Sequence, residues 1–412
     1  MRYDVIVVGG GPAGSTVARE CAARGLSVLL LDKASFPRDK PCGGGITLRA
    51  ARLLPFDLAP VIERSISGFD LTFSCHRGFT RDVDQPLFYL TQRSRLDYFL
   101  LEQAVKAGAT VRERTPLFQI ERDHSRVVVR AGGETFEGRT LVAADGANGQ
   151  TAKRAGLSVR HWRIIALEGN ITRNSSLPER WRNRAGIDLG GIPGGYYWLF
   201  PKEDHLNIGV GGVGPIGSGL HQRLAGACRF YGFDPTALWG VRAHPIPVRQ
   251  PDAPLVDGNV LLVGDAAGLV DLLTGEGIHS AIWSGRAAAK HLAAYLDGKA
   301  PDLTGYRREV ERELLPELRV AFQLWSLFHL APRLSAEILF HRLRGRLDRL
   351  LGWTRFSRLI QGEDQYQDLR RDLRPLWFPI DLLLRPSIYP LMSKLLGVLR
   401  RSWRKANAMN DV

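Results

Sequence analysis

The sequence predicts an α/β protein: a discontinuous doubly wound domain, interrupted by a β-sheet substrate domain and followed by a helical C-terminal region. Three observations carry that expectation. An apolar run, Val5–Val8, passes through glycines into a helical stretch at Ala13–Arg24, and a second strand, Ser27–Leu31, then ends on Asp32. From about Ile164 to Val248 the pattern is β-rich and dense in Gly, Pro and aromatic residues. At Val260–Val263 the buried-strand pattern returns and leads into an Ala-rich helix, Ile278–Leu296. With 412 residues the chain has room for two or three domains of roughly 100–200 residues each.

Between these anchors, Arg93–Ala107 reads as a helix with Leu96, Leu100, Leu101 and Ala104 on one face, and Arg126–Arg130 and Leu141–Ala144 read as short strands. The expected division is therefore 1–68, 91–160 and 255–300 for the doubly wound domain, 69–90 and 161–254 for the sheet domain, and 301–412 for a basic helical region.

Lys and Arg number 56 against 42 Asp and Glu, a net charge of +14, and only nine of the bases are Lys. An Arg excess suits phosphate groups and anionic surfaces. The four cysteines, Cys21, Cys42, Cys75 and Cys228, form no CxxC pair, which argues against a disulfide framework or structural zinc. No metal is expected, and the cysteine usage favours a reducing, cytoplasmic setting. The apolar start runs straight into glycines, unlike a signal peptide, and no charge-free stretch is longer than eighteen residues, so a spanning helix is not expected.

The chemistry begins at Gly9-Gly10-Gly11-Pro12-Ala13-Gly14, a GxGxxG directly between strand and helix. Glycines there let the backbone approach a pyrophosphate, and the helix N-terminus offers unpaired N–H groups and partial positive charge. Asp32, with Lys33 beside it, is placed to meet a ribose. This strand–turn–helix–strand–acid setting defines a Rossmann-type site with Gly9, Gly11, Pro12, Ala13, Gly14, Asp32 and Lys33 as cofactor contacts. Two further matches, Gly209–Gly214 and Gly212–Gly217, lie in the β-rich region without a following acid-terminated strand and are read as decoys. The strand Val260–Val263 turns sharply at Gly264-Asp265, where an acid can hold a ribityl chain, and Gly275-Glu276-Gly277-Ile278 opens a second helix beside the cofactor. A cofactor that long points to FAD.

These segments, with Pro41-Cys42-Gly43-Gly44-Gly45, Arg93 and Asp145-Gly146, resemble the geranylgeranyl reductase family, FAD enzymes of the larger group that includes p-hydroxybenzoate hydroxylase. The sharpest likeness is Tyr196-Tyr197-Trp198-Leu199-Phe200-Pro201-Lys202, which fits the family's YxWxFP signature, followed after seven residues by Gly209-Val210-Gly211. The likeness covers about Arg2–Leu296; Leu272 and Gly149 depart from it, standing where relatives carry Pro and Ser. It implies FAD contacts at Cys42, Gly43, Gly44, Arg93, Asp145, Gly264, Asp265, Gly275, Gly277 and Ile278. It also implies a prenyl-binding wall at Tyr196, Trp198, Phe200, Pro201, Gly209 and Gly211, and reduction by NADPH or NADH. Cys42 and His279 are the candidate proton donors, each also readable as a packing residue.

Tyr196, Trp198 and Phe200 alternate and so share one face of a strand, which suits a polyprenyl chain or an ordinary sheet core. From Arg333 on, sixteen Lys/Arg face eight Asp/Glu, a net +8. Within Ala336–Leu351, Leu339, Leu343, Leu347 and Leu350 recur with Arg342, Arg344, Arg346 and Arg349 between them, and Trp353, Phe356, Trp377 and Trp403 follow. That pattern fits either an anionic membrane surface at the inner face or a packed helical cap. No nucleic-acid motif accompanies the charge. The expected activity is FAD-dependent reduction of isolated C=C bonds in a geranylgeranyl-type group. A flavin monooxygenase or halogenase on the same fold, and a non-catalytic lipid-binding flavoprotein, remain the alternatives.

Overall fold

Arg2–Val8 forms a strand at the heart of an eight-stranded sheet, paired in parallel with Glu134–Ala143 on one side and Val28–Leu31 on the other. Val28–Leu31 continues in parallel to Thr110–Arg112, and Glu134–Ala143 to Val260–Leu262. The antiparallel strands Val127–Ala131 and Leu117–Arg122 branch off Glu134–Ala143. In this computed structural model the described residues are 2–75, 78–172, 178–189, 192, 194–213, 219–330 and 346–383.

Parallel strands are covered on both faces, which is why Val5–Val7, Leu29–Leu31 and Val260–Leu262 are continuous apolar runs with no exposure. The helices Pro12–Ala22, Arg93–Lys106 and Ile278–Leu296 supply the cover. Gly285 sets how closely two of them approach: a Cβ there would lie 2.8 Å from the Ala13 carbonyl oxygen. The doubly wound fold expected from sequence is thus present, with element ends within a few residues of those read from the pattern. Leu141–Ala144 is the tail of a ten-residue strand, Glu134–Ala143.

The chain divides into two compact units, residues 1–65, 88–163 and 245–318 in the first, and 66–87, 164–244 and the described residues from 319 on in the second. The region read as a separate C-terminal part is therefore shared between them. Leu303, Tyr306, Val310 and Leu314 are buried in the core of the first unit, and the Tyr306 hydroxyl donates to the Leu262 carbonyl at 2.8 Å. In the second unit a seven-stranded sheet runs in the order Leu238–Arg249, His161–Thr172, His205–Val213, Tyr196–Pro201, Arg184–Leu189, Gly68–Phe73, Gly78–Asp82.

One face of this second sheet packs Tyr197, Leu199, Ile208 and Val210 against Leu220, Leu224, Ala227 and Cys228 of the helix Leu220–Phe230. The helix Trp353–Gln361 also belongs to this unit. Trp353 and Phe356 set their rings 6.2 and 6.3 Å from Phe69, and Trp377 is buried, its indole N–H donating to Gln323 at 2.9 Å. These three aromatics therefore have protein partners within this unit. Leu339, Leu343, Arg342, Arg344 and Trp403 lie outside the described residues, as do the side chains of Arg346 and Leu347. Among the described residues, no helix is long and apolar enough to cross a membrane.

Candidate functional site

Gly11 caps the helix Pro12–Ala22 in extended backbone, with no side-chain cap, and Pro12 occupies the first turn. The first-turn N–H groups therefore have no intrahelical acceptor. Within the turn the glycines have different tasks. A Cβ on Gly14 would stand 1.8 Å from the Gly9 carbonyl oxygen, so Gly14 closes the turn sterically. A Cβ on Gly11 would meet only the Arg38 guanidinium, at 3.5 Å. Gly11 thus faces open space bordered by a cation and by helix N–H groups, the donor set a pyrophosphate needs.

Asp32 is buried at the end of its strand, and its two oxygens accept from Gly10 N at 2.6 Å and Ala34 N at 2.8 Å. Those bonds fix the carboxylate beside the turn and leave lone pairs for ribose hydroxyls. Lys33 is exposed, Pro12, Ala13 and Gly14 are buried. Gly264 accepts no Cβ without pressing on Ala13 at 2.9 Å, and its N–H donates to Ser284 at 3.0 Å. Asp265 pairs with Lys40 at 3.1 Å, so the acid meant for a ribityl chain already faces a cation from the loop before Cys42. These residues fit FAD: an open glycine cradle, an uncapped helix N-terminus and two placed carboxylates.

Other residues expected at the cofactor also hold bonds within the chain. Arg93 is buried and grips Asp97, one turn along its own helix, at 2.7 and 2.8 Å. Asp97 is wholly buried and also receives Arg38 at 3.1 Å. Burial works against the Arg93 charge, but Asp97 and the Cys42 thiol outweigh it and raise its pKa. Arg93 is thereby a support for the Cys42 loop. Cys42 is half-buried, its sulfur 3.4 Å from Gly44 N. Asp145 accepts from Gln150 N, Thr151 N and Thr151 Oγ1 at 2.7–2.8 Å, which caps the short helix Thr151–Arg154. Gly149 has its reason here, since a Cβ would sit 2.3 Å from the Asp145 carboxylate.

Before the helix Ile278–Leu296, the Gly275-Glu276-Gly277 turn is tied down by residues that the motif reading did not single out. Glu276 accepts from Thr47 Oγ1 at 2.6 Å and from Arg49 at 2.8 Å, and Arg49 also reaches the buried Asp271 at 3.4 Å. Arg38, Lys40 and Arg49 were the missed residues; three bases flanking a Pro-Cys-Gly-Gly-Gly loop were the available signal. His279, in the first helical turn, has its pKa pushed down to about 3, chiefly by burial and secondarily by Arg49. It is a neutral imidazole near pH 7.

That shift has a testable sign. The unfolded chain takes up a proton below about pH 6.5 and the folded one does not until about pH 3, so His279 costs stability as pH falls through that window. His279→Gln should flatten the fall in unfolding free energy by up to ~1.4 kcal/mol per pH unit between roughly pH 6 and 4. Urea melts of both proteins that run parallel over this range would show the imidazole to be protonated in the fold.

In the second unit, Tyr196, Trp198 and Phe200 do share a face, opposite to the packed Tyr197 and Leu199. Their rings adjoin at 6.0 Å (Tyr196–Trp198) and 6.5 Å (Trp198–Phe200). Pro201 is buried at the strand end. The antiparallel register sets Gly211 opposite Tyr196, Gly209 opposite Trp198 and Asn207 opposite Phe200. A Cβ on Gly209 would lie 1.9 Å from Trp198 Cζ2, and one on Gly211 3.7 Å from Cζ3. The Gly-x-Gly spacing therefore makes a bed on which the indole lies. Gly214 and Gly217 of the decoy motifs lie outside the described residues.

The site and fold define an FAD-binding oxidoreductase, and residues 2–188 match the FAD binding domain family. A geranylgeranyl diphosphate reductase of Rhodobacter capsulatus is 34% identical over 74% of this chain and 78% of that protein. A menaquinone reductase of Mycolicibacterium smegmatis is 32% identical over 70% of this chain and 76% of that protein. Among solved structures, a geranylgeranyl bacteriochlorophyll reductase-like protein of Thermoplasma acidophilum superposes with TM-score 0.71 at 25% identity, covering 91% of this chain and 99% of that one. A flavin-dependent brominase, at TM-score 0.70 and 20% identity over 91% of this chain and 99% of that one, shares the fold alone. The chain belongs to the geranylgeranyl reductase family of FAD-dependent oxidoreductases.

Proposed function

We propose that this protein is an FAD-dependent reductase of isolated C=C bonds in a polyprenyl, geranylgeranyl-type group, with NADPH or NADH as reductant. The observation that carries the reading is the Trp198 indole bedded on Gly209 between Tyr196 and Phe200, an apolar face with the family's spacing. When bound, FAD supplies the two-electron chemistry that a protein side chain cannot. The chain's own part begins at Gly11, where backbone N–H groups and Arg38 would hold the pyrophosphate, while Asp32 and Asp265 would orient the hydroxyl-bearing chains. The Arg49–Glu276–Thr47 ties hold the Gly275–Gly277 turn still, and the aromatic face excludes water from an alkene that has no polar handle. The chain reads as reductase rather than brominase because sequence likeness, not only fold, runs to the prenyl-handling relatives. Mass spectrometry of geranylgeranyl diphosphate after anaerobic turnover tests this, two hydrogens gained per bond reduced.

We also propose peripheral binding to an anionic bilayer, where prenyl substrates partition. With Trp353, Phe356 and Trp377 packed, the support for this moves to Phe378, which is 74% exposed, and to Arg371 and Arg374 shortly before it in the chain, also exposed. Each base near such a surface contributes about 1 kcal/mol, an attraction that salt weakens. Co-sedimentation with phosphatidylserine vesicles should fall with salt and fall further in a Phe378→Ser/Arg371→Gln/Arg374→Gln variant. Equal sedimentation with neutral phosphatidylcholine vesicles would remove this part of the account.

A further inference from the structure

Trp198 is buried and its indole N–H is a donor with no acceptor function, so it needs one partner in a fixed place. That partner is Asn207 Oδ1 at 2.7 Å. The amide of Asn207 is in turn oriented by the bond from its Nδ2 to Asn170 Oδ1, at 3.0 Å. The pairing register explains why the three meet: Asn207 stands opposite Asn170 on one neighbouring strand and Phe200 on the other. The rings of Tyr196 and Phe200 flank the indole, and the Gly209 backbone lies under it. Four contacts therefore leave the indole one orientation.

We propose that Asn207, steadied by Asn170, is a positioning residue that locks Trp198 as a rigid floor and so sets which prenyl chain length is accepted. This rests on the prenyl-reductase reading above. The physical need is specific. A polyprenyl chain has many rotatable bonds and no polar group along its length, so hydrogen bonds cannot hold it in register. Its placement depends on the shape and stiffness of an apolar wall, and a wall that moves loses the orientation advantage on which rate depends. An indole tethered at its one polar atom gives a large apolar surface at low entropic cost.

The test compares Asn207→Leu, which keeps size and removes the acceptor, with Asn207→Asp, which keeps an acceptor that Asn170 can meet by turning its amide. FAD-loaded enzyme is assayed with geranylgeranyl diphosphate and farnesyl diphosphate, with the NADPH-driven flavin half-reaction followed separately. Asn207→Leu should raise KM for geranylgeranyl diphosphate about tenfold and shrink the preference between the two chains, leaving flavin reduction unchanged. Asn207→Asp should recover most of the preference. With 5-fluorotryptophan in the protein, the Trp198 resonance should broaden in the Leu variant and sharpen again in the Asp variant. Wild-type KM and chain preference in Asn207→Leu, or the same loss in both variants, would overturn the proposal. If Trp198→Leu impairs prenyl reduction while Asn207→Leu is silent, only the positioning role fails; if Trp198→Leu is itself silent, the underlying reading fails.

Discussion

Gly11→Val should purify as a folded, colourless protein with FAD affinity lowered at least 100-fold, about 2.7 kcal/mol of binding energy. The isopropyl group enters the open space before the helix Pro12–Ala22, where the only near atom is the Arg38 guanidinium at 3.5 Å. It therefore fills the cradle without straining the fold. Gly14→Ala is the contrasting variant, because its methyl collides with the Gly9 carbonyl oxygen inside the turn itself. The first should lose flavin absorbance and keep the apoprotein's melting temperature; the second should lose both. A Gly11→Val protein carrying a full complement of flavin would place the pyrophosphate elsewhere.

Trp198→Ala should reduce prenyl reduction roughly 100-fold while the flavin half-reaction with NADPH stays within about twofold. The indole covers Gly209 and adjoins Tyr196 and Phe200, so its loss opens the centre of the aromatic face. Since large-to-small changes at a buried site also cost about 3–5 kcal/mol of stability, Trp198→Phe serves as a companion. It keeps most of the apolar surface, gives up the bond to Asn207, and should fall between Ala and wild type. Equal losses in both half-reactions would make the indole a core residue only.

The parts of this protein that were legible in the sequence are those whose cause is local. Val5–Val8 and Val260–Val263 are uninterrupted apolar runs because parallel strands are buried on both faces, and the helix at Ile278–Leu296 follows a glycine and a strong apolar period. The shared face of Tyr196, Trp198 and Phe200 follows from strand alternation alone. What was not legible depends on partners far along the chain. Lys40 meets Asp265 and Arg49 meets Glu276 across more than two hundred residues, and no pattern near either residue announces it. The role of Gly209 needs the strand register, which places Trp198 opposite it. The Arg93–Asp97 pair, by contrast, is local: an acid four residues on along the same helix is the spacing of a helical ion pair. The aromatics at Trp353, Phe356 and Trp377 show the opposite limit, since an amphipathic period says that a face is apolar and not whether lipid or protein covers it.

The central claim is tested most directly by the product. FAD-loaded protein is reduced anaerobically with NADPH, or with dithionite where NADPH fails, and given geranylgeranyl diphosphate or a geranylgeranyl-bearing lipid. Mass spectrometry should find product heavier by two hydrogens for each saturated bond, in step with reoxidation of the flavin. Substrate recovered unchanged beside flavin that is reoxidised only by air, or a product that has gained oxygen or halogen once air and halide are admitted, would contradict the account.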